Sequence, residues 1–326
     1  MGSNLINILN DNSILKKNKI TDMITVSPSS TGCVLTSLAT ATYPSEYGII
    51  GWYNYNREHD ISYYPLLFID RKQNKSLKEF NIEVNDIFKI NSKLNELNVK
   101  TTVLYPEYIC DSVYSNYVAN NNIRKSFITI EDAFNQIIEI TKKDEKTFTY
   151  LYLPDIDNLE HNNGFNSEIV LNEIHNIENQ LNRLNNSDIV TIITADHGQK
   201  NVNKDIVMDF KKYDKYFYAY PGIDFAMATY YVKKDMEEEF AEEFNKDYKD
   251  KMYLFETKEF IDSNVFGPDK NNQFILNNLG EYISICKSDA QFINSTEIDK
   301  YYKKTKGNHS GLTKDEMIIP LIIING

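Results

Sequence analysis

Short runs of apolar, β-branched residues alternate along the chain with segments of helical periodicity. The apolar runs predict strands, and several lack the polar alternation of a half-exposed strand. Continuous runs of this kind are typical of strands buried on both faces of a parallel sheet. The predicted strands are residues 23–26, 100–104, 148–153, 189–194 and 318–324.

Helical segments lie between these strands. Thr129, followed by two acidic residues, predicts one helix start. A second segment has an apolar stripe at spacings of three and four residues, formed by Val170, Ile174, Ile177, Leu181 and Leu184. Strands that alternate with helices predict an α/β sandwich with a mainly parallel central sheet and helices on both faces.

The stretch 211–305 has a different pattern. Residues 217–220, 226–232 and 252–255 predict strands around a charged helix near 235–244. The sequence therefore predicts a catalytic core of residues 1–210 and 306–326, interrupted by a small α+β cap or insertion at 211–305.

The amino-acid composition limits the kinds of molecule that this protein is expected to bind. A formal charge of −12 without a basic stripe excludes a nucleic-acid duplex, although bound metal ions would still allow a phosphate substrate. The apolar runs are too short to span a bilayer, so no membrane partner is expected. Three scattered cysteines form neither a disulfide framework nor a CxxC metal motif. With no signal-peptide pattern at its start, the chain is expected in the cytoplasm.

Four short fragments contain three of the five histidines. They are Pro-Ser-Ser-Thr-Gly at 28–32, Asp-x-x-x-His at 157–161, Asp-His-Gly at 196–198 and Gly-Asn-His-Ser-Gly at 307–311. Each offers oxygen or imidazole ligands to a metal, and the first also offers a hydroxyl nucleophile. Together they predict a dinuclear metal site for phosphoryl transfer.

Thr31 lies where a predicted strand turns into a helix. A helix N-terminus suits an incoming phosphate, and a metal-coordinated hydroxyl there can attack phosphorus. An N-cap role for one of the hydroxyls at 29–31 is the alternative, and for this fragment alone it is the more common one.

The candidate ligands follow predicted strands. Asp157 and His161 are four residues apart, which in a helix places both on one face. Asp196 and His197 end a very apolar strand, and His309 lies in a glycine-flanked loop. A surface turn for the first pair and a structural Asp–His pair for the second are the alternatives.

Other acids and histidines fit no such pattern. Asp155 and Glu160 are expected to be solvated. His59 and His175 are expected to be structural or surface residues.

In order and spacing, these fragments resemble the type I phosphodiesterase/nucleotide pyrophosphatase branch of the alkaline phosphatase superfamily. The resemblance covers nearly the whole chain. Besides the four fragments it includes Leu-Thr-Ser-Leu-Ala-Thr at 35–40, Tyr-Pro-Ser-Glu-Tyr-Gly-Ile-Ile-Gly-Trp at 43–52, Asn-Val-Phe-Gly at 264–267, Gly-Glu-Tyr at 280–282 and Asp-Glu-Met-Ile-Ile-Pro at 315–320.

The resemblance implies an alkaline-phosphatase-like fold and a role for each residue. Thr31 would be the nucleophile and form a phospho-threonine intermediate. One metal would be held by Asp157, His161 and His309, and the second by Asp196 and His197 together with Thr31. The family implies two divalent ions, with Zn²⁺ as the expected metal and Mn²⁺ or iron as alternatives.

Three departures from the family pattern matter. Val34 replaces an Asn that donates to the phosphate, and Tyr47 replaces a His. The third departure concerns the start of the chain. Members of the family begin with a strand that ends in Asp-Gly, and this Asp is a ligand of the second metal. The present chain begins with Met-Gly-Ser-Asn-Leu-Ile-Asn, which resembles the segment immediately after that Asp-Gly. Met1 is then interpreted as an internal methionine of a longer reading frame or as the start of a truncated chain. Truncation predicts a weak second metal site, little turnover and two exposed sheet edges prone to aggregation.

The expected substrate is a small phosphorylated molecule. A nucleotide is one candidate, because aromatic residues after the nucleophile helix, among them Trp52 and Tyr53, could stack on a base. Core packing of these rings is the commoner role, and Gly32 is the other expected substrate contact. The leading function is a phosphodiesterase. The alternatives are a phosphonate or phosphomonoester hydrolase, or a paralogue that binds a phosphorylated ligand without turnover.

Overall fold

A computed structural model of the chain describes residues 1–184, 188–293 and 305–325. Its strands, in chain order, are Lys19–Ile24 (β1), Asn54–Asn56 (β2), Ile61–Tyr64 (β3), Ile69–Asp70 (β4), Lys100–Pro106 (β5), Ile123–Phe127 (β6), Thr147–Leu151 (β7), Val190–Ile193 (β8), Lys200–Asn201 (β9), Lys204–Val207 (β10), Gly222–Ile223 (β11), Met227–Tyr230 (β12), Met252–Glu256 (β13), Tyr282–Cys286 (β14), Ala290–Ile293 (β15), Gly307–Asn308 (β16) and Ile318–Asn325 (β17).

Helices connect most of these strands. The α-helices are Ser3–Ile8 (α1), Ile14–Lys17 (α2), Thr31–Thr40 (α3), Pro44–Tyr47 (α4), Val84–Ile87 (α5), Glu107–Cys110 (α6), Val113–Ala119 (α7), Ile130–Thr141 (α8), Asp155–Asn163 (α9), Glu168–Leu181 (α10), Phe210–Tyr213 (α11), Glu237–Tyr248 (α12), Thr257–Asp262 (α13), Gln273–Leu276 (α14) and Lys314–Met317 (α15). Short 3₁₀ helices occur at Leu77–Phe80, Lys93–Glu96, Asn182–Leu184 and Asp214–Tyr216.

Two three-stranded sheets carry the site. In the first, β5 lies between β6 and β7 and is parallel to both. In the second, β17 lies between β1 and β8 and is antiparallel to both. The prediction of a mainly parallel sheet is therefore wrong, because one sheet is parallel and the other is antiparallel. The short helix α15 leads directly into β17, which starts where β1 ends, with Ile24 opposite Ile318.

All five predicted core strands are present, with shifted ends. In the insertion, 217–220 is not a strand, and this prediction is wrong. Phe217 makes only an isolated bridge to Val232, and its ring stacks on Tyr230 with centroids 5.8 Å apart. The aromatic run at this point fills the core of the insertion.

One apolar cluster joins both sheets to the helices α1, α8, α9 and α10. It contains Leu104 of β5 and Ile322 of β17, and Leu151 and Ile193 pack against it. The predicted apolar stripe of α10 and the residues after it faces this cluster and is buried along its whole length. A helical layer over both sheets confirms the α/β class.

The stretch 211–305 contains an antiparallel sheet in the order β11-β12-β14-β13. Helix α12 packs on it through Phe240 and Phe244, both fully buried. Ile206 of β10 belongs to the same cluster, because β10 pairs with β15. The polypeptide of the insertion is thus anchored to the segment that follows the Asp-His-Gly fragment.

Within the residues that the structure describes, no helix is both long and apolar enough to cross a membrane.

Each of the two sheets that carry the site has two edge strands among the described residues. They are β6 and β7 in the first sheet and β1 and β8 in the second. On β8 the side chains of Val190 and Ile192 are 64% and 66% exposed. An exposed apolar edge strand is a template for pairing with a second chain.

We expect Ile192→Lys to reduce self-association of the protein, because a charge on an edge strand opposes edge-to-edge pairing. Its effect on the free energy of unfolding should stay within about 0.5 kcal/mol, as is usual for exposed positions. Light scattering during a slow temperature ramp measures the association. Leu67→Lys is the matched control, since Leu67 is an exposed apolar residue in a turn. An equal effect of both changes would contradict the role of the edge.

Candidate active site

The polar fragments singled out in the sequence meet at one edge of the two sheets. The chain leaves β7 and enters α9, which carries Asp157 and His161. It leaves β8 and reaches Asp196 and His197, while β16 delivers His309. These side chains lie beyond the carboxyl ends of β7 and β8, where ligands of open α/β sheets gather.

Asp157, His161 and His309 form a group that could hold a metal ion. One ligand atom from each lies within 4.8 Å of the others. Nε2 of His161 is 3.5 Å from one Asp157 oxygen, and Nε2 of His309 is 3.9 Å from the other. The helical spacing of the first pair places both side chains on the same face of α9, as predicted, and not on a surface turn. Two imidazoles and a carboxylate are typical ligands of a divalent transition metal.

Thr31, Asp196 and His197 lie directly beside this group. The Thr31 hydroxyl oxygen is 3.1 Å from Nε2 of His197, which is 3.3 Å from an Asp196 oxygen. The rings of His197 and His309 stack with centroids 3.6 Å apart. All five predicted ligands and the predicted nucleophile are therefore brought together.

Backbone carbonyls orient the three imidazoles. In each ring Nδ1 contacts a carbonyl oxygen, which can only accept, so Nδ1 carries the proton and Nε2 has a free lone pair. The contacts are His161 to Gly307 at 2.9 Å, His197 to Gly198 at 3.1 Å and His309 to Ser29 at 2.7 Å. All three Nε2 atoms are directed at the acidic side chains, which is the tautomer that metal binding requires.

Burial keeps two of the imidazoles neutral. It lowers the pKa of His197 to about 4 and that of His309 well below its ordinary value. For Asp157 burial acts to raise the pKa, but the neighbouring histidines outweigh it and hold the pKa well below its usual range. Near neutral pH His197 and His309 are thus neutral and Asp157 is ionised.

Thr31 is the first residue of α3, at the end of the helix where N–H groups are free. Among the described residues no hydrogen bond engages the N–H of Thr31, Gly32 or Cys33. A Cβ at position 32 would lie 3.2 Å from the Gly51 carbonyl oxygen, so glycine suits this close approach. A helix N-terminus with open N–H groups is a ready site for a phosphoryl group.

The N-cap alternative for the hydroxyls at 29–31 is wrong. Ser30 is the N-cap residue of α3, yet its side chain makes no capping hydrogen bond. The three hydroxyls contact, in chain order, the Gly311 carbonyl at 2.8 Å, an Asp224 carboxylate oxygen at 2.7 Å and the His197 ring at 3.1 Å.

The predicted aromatic contacts occupy different environments. Tyr53 is buried, with the Arg71 guanidinium 4.2 Å from its ring centroid and Tyr64 at 5.5 Å. This placement is that of a packing residue. Trp52 is partly exposed and makes an edge contact with Tyr64 at 6.2 Å between ring centroids, and its contact with a substrate stays a prediction.

The sequence missed three residues of the site. Gln199 donates to an Asp157 oxygen at 2.5 Å, and its position directly after the Asp-His-Gly fragment was an available signal. Glu160 was expected to be solvated, which is wrong: it is fully buried, and burial raises its pKa to about 7. It lies three residues after Asp157 and so shares the inward face of α9. Asp224, in the insertion, has no sequence signal.

Comparison of the chain with known proteins identifies its family. A family model described as type I phosphodiesterase/nucleotide pyrophosphatase matches residues 10–216, more than half of the chain. A search of the curated proteins finds no match.

Several solved structures share the fold. Murine ectonucleotide pyrophosphatase/phosphodiesterase 5 is 15% identical, with a TM-score of 0.68 over 94% of this chain and 80% of its own. An inactive variant of that protein in complex with AMP has a TM-score of 0.67, covering 93% and 79% of the two chains at 15% identity. Phosphonoacetate hydrolase from Sinorhizobium meliloti, in complex with phosphonoformate, is 13% identical, with a TM-score of 0.65 over 95% of this chain and 82% of its own.

The match over more than half of the sequence identifies the chain directly, and the shared α/β fold agrees with it. The chain belongs to the type I phosphodiesterase/nucleotide pyrophosphatase family of hydrolases.

Proposed function

We propose that this chain is a metal-dependent phosphodiesterase that acts on a small phosphorylated substrate through a phospho-threonine intermediate on Thr31. The observation that carries the proposal is the position of the Thr31 hydroxyl. It lies at the open N-terminus of α3 and 3.1 Å from His197, beside the group of Asp157, His161 and His309.

Two divalent ions are proposed at this site. Asp157, His161 and His309 would hold the first, and Asp196, His197 and Thr31 the second. The proposed metal is Zn²⁺, with Mn²⁺ or iron as alternatives, since mixed imidazole and carboxylate ligands suit these ions. The bound ions would supply Lewis acidity, which lowers the pKa of the nucleophile and offsets charge on the phosphoryl oxygens.

The reaction follows from the placement of the chain's own groups. Thr31 Oγ1 loses its proton and forms a bond to phosphorus as the bond to the leaving oxygen breaks, and the leaving oxygen takes up a proton. The N–H groups of Thr31, Gly32 and Cys33 would donate to the non-bridging oxygens. The intermediate still carries the second ester group of the substrate. Water then attacks its phosphorus, the bond from phosphorus to Thr31 Oγ1 breaks, a phosphomonoester is released and Thr31 regains a proton.

The proposed domain division is a core of residues 1–210 and 306–326 with a cap at 211–305. A nucleotide is one candidate substrate, with Trp52 as a stacking partner for its base. The AMP complex of a protein with the same fold supports this candidate.

A phosphonate hydrolase is the second candidate. The similarity of fold to phosphonoacetate hydrolase in complex with phosphonoformate favours it. A phosphomonoester hydrolase, or a protein that binds a phosphorylated ligand without turnover, is the remaining alternative.

Elemental analysis combined with hydrolysis of an aryl phosphodiester, an aryl phosphomonoester and phosphonoacetate tests the proposal. Two metal ions per chain and preferred turnover of the diester are the expected results. Preferred turnover of phosphonoacetate would favour the second candidate. One ion or none, without hydrolysis of any of the three, would favour a binding protein.

A further inference from the structure

A turn of the insertion reaches the nucleophile loop. Asp224 follows β11, and its carboxylate accepts a hydrogen bond from the Ser30 hydroxyl at 2.7 Å. The exposed fractions of Asp224 and Ser30 are 6% and 0%, so water competes little for this contact. The other carboxylate oxygen accepts from the N–H of Phe225 at 3.0 Å, which holds the carboxylate in place.

The same turn also forms a hydrogen bond with the loop that carries His309. The N–H of Ala226 donates to the Ser310 hydroxyl at 2.9 Å. The N–H of Ser310 in turn donates to the Ser29 hydroxyl at 3.1 Å. Residues 224–226 thus connect the loop before α3 with the loop beside His309.

Ser30 has the backbone of a capping residue but does not cap. Its φ and ψ of −115° and 138° are extended, as is usual at an N-cap. A serine here ordinarily accepts from the N–H of the second or third helical residue, which would be Gly32 or Cys33. Here the hydroxyl donates to Asp224 and makes no capping hydrogen bond with either of these N–H groups.

We propose that Asp224 is a positioning residue that acts through Ser30: it prevents the hydroxyl from capping α3 and so leaves the N–H groups of Gly32 and Cys33 open to the phosphoryl oxygens of the substrate. This inference rests on the proposed function of the same site. Without Asp224, the Ser30 hydroxyl is free to rotate and to accept from one of these N–H groups. The phosphoryl group then loses a donor.

Binding of inorganic phosphate to the metal-loaded protein, measured by calorimetry, tests the proposal without requiring turnover. Asp224→Ala removes both the charge and the acceptor, whereas Asp224→Asn removes the charge and keeps an acceptor for Ser30. The ratio of the two affinities therefore reports on the acceptor at position 224, which serves both Ser30 and the N–H of Phe225. We expect phosphate to bind Asp224→Ala about tenfold more weakly than Asp224→Asn, the scale of one lost hydrogen bond to a charged group.

The background of Ser30→Ala separates positioning from general structure. Without the hydroxyl, no side chain is available to cap α3, so Asp224→Ala and Asp224→Asn should bind phosphate equally in this background. Ser30→Ala alone should bind phosphate as the parent protein does. If Asp224→Ala does not fold, Asp224→Ser, whose side chain is too short to reach Ser30, replaces it.

Two results would overturn the proposal. One is equal phosphate affinity of Asp224→Ala and Asp224→Asn while Ser30 is present. The other is a difference between them that persists in Ser30→Ala, which would assign Asp224 a purely structural role. Absence of diester hydrolysis together with the expected binding pattern would overturn the proposed function and leave this inference standing.

Discussion

Thr31→Ala is expected to reduce hydrolysis of an aryl phosphodiester by roughly 10⁴-fold or more, the scale seen when the nucleophile of a covalent mechanism is removed. The hydroxyl is the group that forms the bond to phosphorus in the proposed reaction. It lies 3.1 Å from Nε2 of His197 at the start of α3, and no other described hydroxyl contacts that ring. Steady-state kinetics with an aryl diester measures the effect. In the parent protein, quenching after a short reaction should trap Thr31 joined to the phosphoryl group with its remaining ester substituent, detectable by mass spectrometry.

The matched control is Ser37→Ala on the same helix. The Ser37 hydroxyl contacts the phenol of Tyr47 at 2.9 Å and has no contact with the proposed metal ligands. Its loss should leave turnover within a few-fold of the parent value. Thr31→Ala should also keep the metal held by Asp157, His161 and His309. Comparable turnover by Thr31→Ala and the parent protein would rule out the phospho-threonine intermediate.

His309→Ala is expected to weaken binding of the more tightly held metal ion by more than about 100-fold, and to remove diester hydrolysis with it. Loss of an outer partner of a metal ligand typically lowers affinity by about 10- to 100-fold, and loss of a ligand should exceed this. His309 supplies one of three ligand atoms that lie within 4.8 Å of one another. It is also the ring that stacks on His197, so both halves of the site are affected.

Competition with a chromogenic chelator measures this affinity directly, and elemental analysis after dialysis gives the metal content. His175→Ala is the matched control, because the His175 side chain is 74% exposed and lies outside the site. The control should keep both the metal and the activity. Unchanged metal affinity in His309→Ala would remove His309 from the proposed ligand set.

Much of the site was predictable because its geometry is local. Asp157 and His161 share a face of α9 wherever that helix docks, since four residues make about one helical turn. Asp196 and His197 follow an apolar strand, and strand ends converge at one edge of the fold. The stripe of α10 needed no more than its periodicity to be identified as core.

The incorrect predictions from the sequence have a common cause. The apolar run of β17 does not encode a strand direction, which is defined by its antiparallel pairing with the distant strands β1 and β8. Phe217 is as apolar as a strand residue but packs against Tyr230 within the insertion. Glu160 is acidic and still fully buried, because its helix position turns it inward. In each case neighbours distant in sequence decided the outcome.

The sequence by itself determined the family, the α/β class, the nucleophile candidate and the candidate ligands, because these depend on residue types, short spacings and the order of strands and helices. Only the tertiary structure decided that one sheet is parallel and the other antiparallel, and that the N-terminus of α3 is open. The latter depends on the hydrogen bond between Ser30 and Asp224, residues that are 194 positions apart. No local pattern encodes a contact of that range, because it exists only once the insertion has packed against the core.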